Sequence, residues 1–78
     1  MREREESVLV SFRTTAEAMA MEDHCGRDGI PGRLIPIPSF VSAGCGFGWK
    51  APKRERERIL EYMKAQGLGY ERVGEYLL

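Results

Sequence analysis

Long apolar runs are missing from this 78-residue sequence, and no stretch approaches the roughly 20 residues that a membrane-spanning helix needs. The first six residues, MREREE, are charged and have no apolar region behind them, so we expect no secretory signal. With only two cysteines, the chain has too few for a disulfide scaffold. These shortages predict a cytoplasmic protein with free thiols and no contact with a membrane.

An excess of charge of one sign is also missing, because 12 acidic residues balance 12 basic ones. A nucleic-acid-binding domain would show a basic excess, so no nucleic-acid partner is expected. One histidine and no CxxC pair leave a closed zinc site without ligands, and we expect neither a metal nor another cofactor. The glycine-rich GCGFG segment has no Lys-Ser or Lys-Thr after it, which excludes a phosphate-binding loop.

The chain does contain strand and helix patterns in the order βαββαβ. In the first pattern Val8, Val10 and Phe12 share one face and two serines share the other, which predicts a strand with one buried and one largely open face. Thr14 with Glu17 three residues later is a capping box that opens the first helix. The predicted strands span residues 7–12, 33–37, 45–50 and 70–78, and the predicted helices run from Thr14 to Gly29 and from Pro52 to about Gln66.

This order in so short a chain predicts an α+β fold, the ferredoxin-like two-layer sandwich with an antiparallel sheet and both helices on one face. Right-handed crossovers give the strand order 4-1-3-2, with strands one and three in the centre. Pro36 cannot donate to a strand ladder and therefore favours an edge position for strand two. We expect residues 1–6 to form a flexible charged tail and residues 7–78 to form a single domain.

Cys45 is the candidate catalytic residue because glycines flank it on both sides. Gly44 and Gly46 leave the sulfur open to another molecule, and the amides of Gly46 and Phe47 are placed to stabilise an anion there. Only a thiolate is nucleophilic, so positive charge from Arg33 would also help. The same pattern fits a small buried residue in a glycine-rich strand equally well.

Cys25 has a different setting, on a helical stripe with Ala18 and Met21. That spacing favours packing in the core over chemistry. Adjacent residues of a helix point about 100° apart, so His24 is not aimed at Cys25 and is interpreted as a residue on the solvent flank.

Three stretches of the sequence resemble the selenium/sulfur (Se/S) carrier protein-like family. They are SFRTTAEAM, GIPGRLIPIP and the SxxCG motif from Ser42 to Gly46, and the similarity covers about residues 8–76. The resemblance implies a carrier that holds sulfur or selenium on Cys45 as a persulfide-type adduct. Ser42, Gly44, Gly46 and Arg33 would then surround the site, and Cys25 is a departure from the family pattern that raises the question of a second thiol.

The resulting hypothesis is a carrier or cosubstrate protein more than a turnover enzyme. Its partners would be a cysteine desulfurase or similar chalcogen donor and an acceptor protein, and a homodimer is compatible with the fold. The alternative is a non-catalytic protein-interaction or small-ligand-sensing module that uses a sheet edge or the open sheet face, which carries little bulk at Gly46 and Gly48. A metal chaperone that uses Cys45 with Cys25 or with a partner's cysteine is a third hypothesis.

Overall fold

A computed structural model of the chain describes residues 5–38, 40–41 and 44–78. Within these residues the expected alternation of strands and helices is present. The elements are β1 (Glu6–Ser11), α1 (Thr15–Asp28), β2 (Arg33–Pro36), β3 (Phe47–Pro52), a 3-10 turn (Lys53–Glu55), α2 (Arg56–Gln66) and β4 (Arg72–Leu77).

Local signals set the ends of the helices. The Thr14 hydroxyl accepts a hydrogen bond from the Glu17 amide at 3.2 Å, which confirms the predicted cap of α1. Gly29 and Gly67 end the helices with φ of 66° and 69°, a left-handed conformation that glycine adopts without strain. In the described part of the chain, neither helix is long and apolar enough to cross a bilayer.

The start of α2 differs from the prediction. Pro52 was expected to open this helix, but it is the last residue of β3 and lies opposite Ser7 of β1. A 3-10 turn follows, and α2 begins only at Arg56. Proline is compatible with the end of a strand as well as with the first turn of a helix, so tertiary pairing decides between the two.

The four strands form an antiparallel sheet in the order β2-β3-β1-β4. β1 and β3 therefore occupy the centre, and β2 with Pro36 lies at an edge, as expected. The predicted tail over residues 1–6 is too long, because the backbones of Glu5 and Leu78 exchange two hydrogen bonds of 3.1 Å and Glu6 begins β1. Residues 1–4 of that tail lie outside the described residues.

The main core lies between the sheet and both helices, which pack on the same face. β1 contributes Val8 and Val10, and β3 contributes Trp49 and Ala51. The helix side chains that meet them are buried as well: Ala18, Met21 and Cys25 of α1, and Ile59 and Met63 of α2. Burial of this apolar face is the main stabilising contribution to a domain of this size.

The second face of the sheet is covered, although the sequence predicted a largely open one. Leu9 at the centre of this face is only 1% exposed, and Ser7 and Ser11 beside it are also buried. A Cβ at Gly48 would lie 2.6 Å from Cδ1 of Ile37 and 2.9 Å from Cδ1 of Leu9, so these side chains occupy the space above the glycine. The prediction failed because the residues that fill this face come from distant parts of the chain.

Candidate functional site

Cys45 lies in the connection between β2 and β3, two residues before β3 begins. A strand starting at Cys45 was predicted, but Gly46 has a φ of 81° and interrupts the extended backbone. The Ile37 amide donates to the Gly46 carbonyl at 2.9 Å and closes the connection at its base. The thiol is therefore presented from a closed loop at one end of the sheet, and its residue is half-buried.

The register of the central strands explains where the sulfur is held. Ser11 pairs with Gly48, so a continued ladder would place Phe47 opposite Phe12. Instead the Phe12 carbonyl accepts from the Cys45 amide at 3.3 Å, and the Phe47 amide donates to Cys45 Sγ at 3.4 Å. This local bulge aims a backbone N–H at the sulfur. Phe47 provides one of the two amides expected there from the sequence.

When Cys45 is protonated, its thiol can also donate a hydrogen bond. Cys45 Sγ donates to the Phe47 carbonyl at 3.5 Å, so both backbone groups of Phe47 contact the same atom. Loss of the thiol proton turns the contact with the carbonyl oxygen into a repulsive one and leaves the amide bond, in which the anion is the better acceptor. The geometry thus contains a donor suited to a sulfur anion.

The two flanking glycines have backbone roles in addition to the access role predicted for them. A Cβ at Gly44 would lie 2.8 Å from the Arg13 carbonyl oxygen, so Gly44 permits a close approach of two backbone segments. At Gly46 a Cβ would meet nothing within 4 Å in the described part of the chain, and the glycine is required by its positive φ. Open space does lie on the Gly46 side of the thiol.

Arg33 lies away from the Cys45 end of the sheet, although it was expected to supply positive charge to the thiol. In the β2–β3 pairing Pro36 lies opposite Phe47, whereas Arg33 lies opposite Lys50. Arg33 lies three positions before Pro36 along β2, a distance of about 10 Å. Both cations therefore lie toward the other end of the sheet. Ser42, the remaining predicted site residue, lies outside the described residues.

Two residues near the site were not found from the sequence pattern. Glu71, just before β4, accepts from the Gly44 amide through Oε1 at 3.1 Å and fixes the residue before the cysteine. Arg13 supplies the carbonyl against which Gly44 packs, and its exposed guanidinium forms a 3.7 Å ion pair with Glu17. Arg13 belongs to the SFRTT stretch that carries the resemblance, whereas no local signal marks Glu71.

Cys25 is buried in the core, as predicted, and only 1% of it is exposed. Its thiol lies 3.7 Å from the Met21 sulfur, one helical turn away. Burial, with a further contribution from the Asp28 carboxylate, raises the pKa of the Cys25 thiol to about 11. The neighbouring His24 contacts Arg27 and Gln66 at the surface, which confirms its interpretation as a flank residue.

We expect an alkylating reagent to modify Cys45 at least about tenfold faster than Cys25 in the folded protein at pH 8, because Cys25 is buried and protonated. The measurement is a time course with iodoacetamide, followed by peptide mass spectrometry for each cysteine. Denatured protein serves as the control, in which the two rates should converge. Faster labelling of Cys25 under native conditions would reverse the assignment of the two thiols.

Two substitutions of Gly46 distinguish the effect of backbone conformation on Cys45 reactivity from the effect of steric access to the sulfur. Gly46→Val places a branched residue at a φ of 81°, which costs about 1–2 kcal/mol and relaxes the bulge that aims the Phe47 amide at sulfur. Gly46→Asn tolerates this conformation and adds a side chain of similar size. Cys45 alkylation should slow several-fold in the valine variant and remain near the parent rate in the asparagine variant. Equal slowing in both would show that access, not the bulge, controls reactivity.

The described residues contain no group of three or more histidine, cysteine, aspartate or glutamate side chains placed to hold a metal ion. The site is thus defined by one thiol, one backbone amide and the loop that holds them, on an α+β domain of two layers. A small domain whose candidate site is a single thiol belongs to the class of small thiol proteins.

The comparison with protein families narrows that class. The model of the family described as "Putative Se/S carrier protein-like" matches residues 7–75, and the chain belongs to this family. The resemblance noted from the sequence is therefore confirmed over nearly the whole domain. No curated protein matches the chain, and no solved structure matches it.

Proposed function

We propose that the protein carries sulfur or selenium as a persulfide or perselenide on Cys45 and passes it from a donor enzyme to an acceptor. The observation that carries the proposal is the placement of Cys45 in a loop with its sulfur 3.4 Å from the Phe47 amide. Membership of the family supports it. The order of the strands and the common side of the two helices support a ferredoxin-like classification of the domain.

The transfer is an exchange at sulfur that conserves electrons. The Cys45 thiolate attacks the terminal sulfur of a donor persulfide, forms a new S–S bond and releases the donor's thiolate. The proton of the Cys45 thiol passes to solvent. In the second step an acceptor thiolate attacks the same terminal sulfur, and the Cys45 thiolate leaves. A perselenide reacts in the same way, with selenium as the transferred atom.

The Phe47 amide suits both states of this cycle. The attacking form of Cys45 carries the anion, and the terminal chalcogen carries it after loading. A donor at 3.4 Å from Sγ stabilises negative charge near the sulfur without a general acid or base. This agrees with the role of a cosubstrate that two other proteins must reach, and the open space beside Gly46 is compatible with such an approach.

The test is direct loading of the protein. The parent is incubated with a cysteine desulfurase and cysteine, and its intact mass is measured without reductant. A gain of one sulfur atom, located on the peptide that contains Cys45, is the expected result. Replacement of cysteine by selenocysteine in a parallel reaction distinguishes sulfur from selenium. No gain from either substrate, while a known persulfide acceptor is loaded in the same mixture, would reject the carrier function.

The ligand-sensing alternative loses one of the features on which it depended, the bare backbone at Gly48. It required an open sheet face with little bulk at Gly46 and Gly48. Gly48 is buried beneath Ile37 and Leu9, so the face offers no bare backbone there. The structure accordingly favours Cys45 as the functional centre over the sheet face.

A further inference from the structure

The two edges of the sheet differ in their capacity to pair with another strand. At the β2 edge, Ile37 bonds to Gly46, the residue just before β3, so by alternation Leu34 and Pro36 direct their backbone groups outward. Pro36 has no N–H, and Leu34 is left as the outward donor of this short strand. Proline on a short edge strand is a common protection against edge-to-edge pairing.

The β4 edge lacks this protection. Glu5 and Leu78 form a reciprocal hydrogen-bonded pair, and the alternation continues along the β1–β4 register. Consequently Val73, Glu75 and Leu77 direct their N–H and C=O groups away from β1. This strand has six residues and no proline, and the Leu77 side chain is 57% exposed. Among the described residues no backbone hydrogen bond reaches these outward groups, and a row of unpaired backbone groups beside exposed apolar surface is a template for another strand.

We propose that a second copy of this chain pairs with the β4 edge and forms an antiparallel dimer with a continuous eight-stranded sheet. A twofold axis at Gly74 brings Val73 opposite the partner's Glu75. The next pair outward is Arg72 with the partner's Tyr76, which favours a contact between a cation and an aromatic ring.

Charge selects this register over its neighbours. A shift of the axis to Glu75 would place two glutamates directly opposite each other, and a shift to Val73 would leave only residues 72–74 of each β4 paired, with Glu75 opposite the partner's Glu71, a residue that precedes the strand. Like charges directly opposite are destabilising in antiparallel pairs. The Gly74 axis avoids both conflicts, because Glu75 then faces valine.

Because Gly74 has no side chain, the Tyr76 ring of the same strand can lie over the position of the proposed twofold axis. The Tyr76 ring lies over Gly74, and a Cβ at this glycine would be 2.7 Å from two of its atoms. Phe40 packs against Tyr76 with ring centroids 5.8 Å apart and holds the ring on this face. Two such tyrosines would meet beside the axis, each above the glycine of its own strand.

The dimer leaves both Cys45 sites open. β4 begins at Arg72, at the end of the sheet where Phe12, Gly44 and Cys45 lie, and an antiparallel pair directs these ends away from each other. Chalcogen loading on Cys45 and dimer formation are therefore independent.

The first test compares Glu75→Pro with Glu75→Thr by analytical ultracentrifugation. Each variant loses the glutamate, but proline alone removes an outward N–H without removing a bond to β1. An interface of this limited size belongs to the weak class, so the protein is examined from about 10 µM to about 1 mM. The parent and the threonine variant should dimerise as concentration rises, and the proline variant should stay monomeric with its Cys45 alkylation rate unchanged.

The second test does not depend on folding of a proline variant. Exchange of the Val73, Glu75 and Leu77 amides in the parent is measured by NMR at both ends of that concentration range. We expect the Val73 and Glu75 amides, which this register pairs across the dimer, to exchange several-fold more slowly in the concentrated sample, while the amide of Met19, an exposed residue of α1, is unaffected as a control. A monomer at about 1 mM, or equal exchange at both concentrations, overturns the proposal.

The register has its own test in a background with Cys45→Ser and Cys25→Ala. Arg72→Cys and Tyr76→Cys proteins are mixed and oxidised. In the proposed register the two cysteines are directly opposite and within the Cα separation of about 7 Å that a disulfide allows. The mixture should give a disulfide-linked heterodimer, whereas each protein alone should not, because equivalent residues lie about 13 Å apart along the strands. Efficient cross-linking of either protein alone would reject the Gly74 axis.

Discussion

Cys45→Ser is expected to reduce chalcogen loading to the background level while the domain remains folded. A serine hydroxyl is far less acidic than a thiol, and no comparable anion forms near neutral pH. Serine also cannot hold a second chalcogen in a reversible S–S or S–Se bond. The hydroxyl can still accept from the Phe47 amide that contacts Sγ, so the free energy of unfolding should change by about 1 kcal/mol or less.

The measurement pairs intact-mass analysis after incubation with a desulfurase and cysteine with a urea unfolding curve. Cys25→Ala is the matched control, because it removes the other thiol and leaves a small apolar residue in the core. This control should load as the parent does, although with lower stability. If Cys45→Ser were loaded as fully as the parent, Cys45 would not be the carrier residue. Either Cys25 would have that role or the protein would not be a carrier.

The secondary structure could be predicted from the sequence because its signals are local. The Thr14 cap and the glycine at the end of α1 lie within the segment that they delimit. The central position of β1 and β3 followed from chain order and the handedness of crossovers. The cysteine assignments also depended on short patterns: a helical stripe for Cys25 and flanking glycines for Cys45.

The parts that failed depend on contacts between distant segments. Arg33 was assigned to the site because the pattern shows residue types without distances, and only the β2–β3 register places it toward the other end of the sheet. Glu71 reaches Gly44 across 27 positions of sequence, and nothing near Glu71 indicates that contact. The boundary of β3 moved from Cys45 to Phe47 because the Phe12 carbonyl bonds to Cys45, a choice that no local pattern encodes.

Because the second face of the sheet is covered, truncation of a side chain on it should destabilise the domain. The open face predicted from the sequence would give only a small effect. Leu9→Ala should lower the free energy of unfolding by about 2–5 kcal/mol, the range for a large aliphatic residue truncated in a core. Leu9 is buried on this face, and its Cδ1 shares the space above Gly48 with Ile37. Were the face open, the truncation would remove a side chain already in contact with water and would cost less than about 1 kcal/mol.

Leu77→Ala is the control, since it removes the same atoms from a leucine that is mostly exposed on β4. Both variants are compared with the parent by urea unfolding in dilute solution, where pairing at the β4 edge does not contribute. The Leu77 variant should stay within about 0.5 kcal/mol of the parent, and the slope of the transition should be unchanged in both. Because a small domain has only about 5–15 kcal/mol in total, the Leu9 variant should unfold at a clearly lower urea concentration. Similar midpoints for the two variants would mean that Leu9 is solvated and that Ile37 does not cover the sheet.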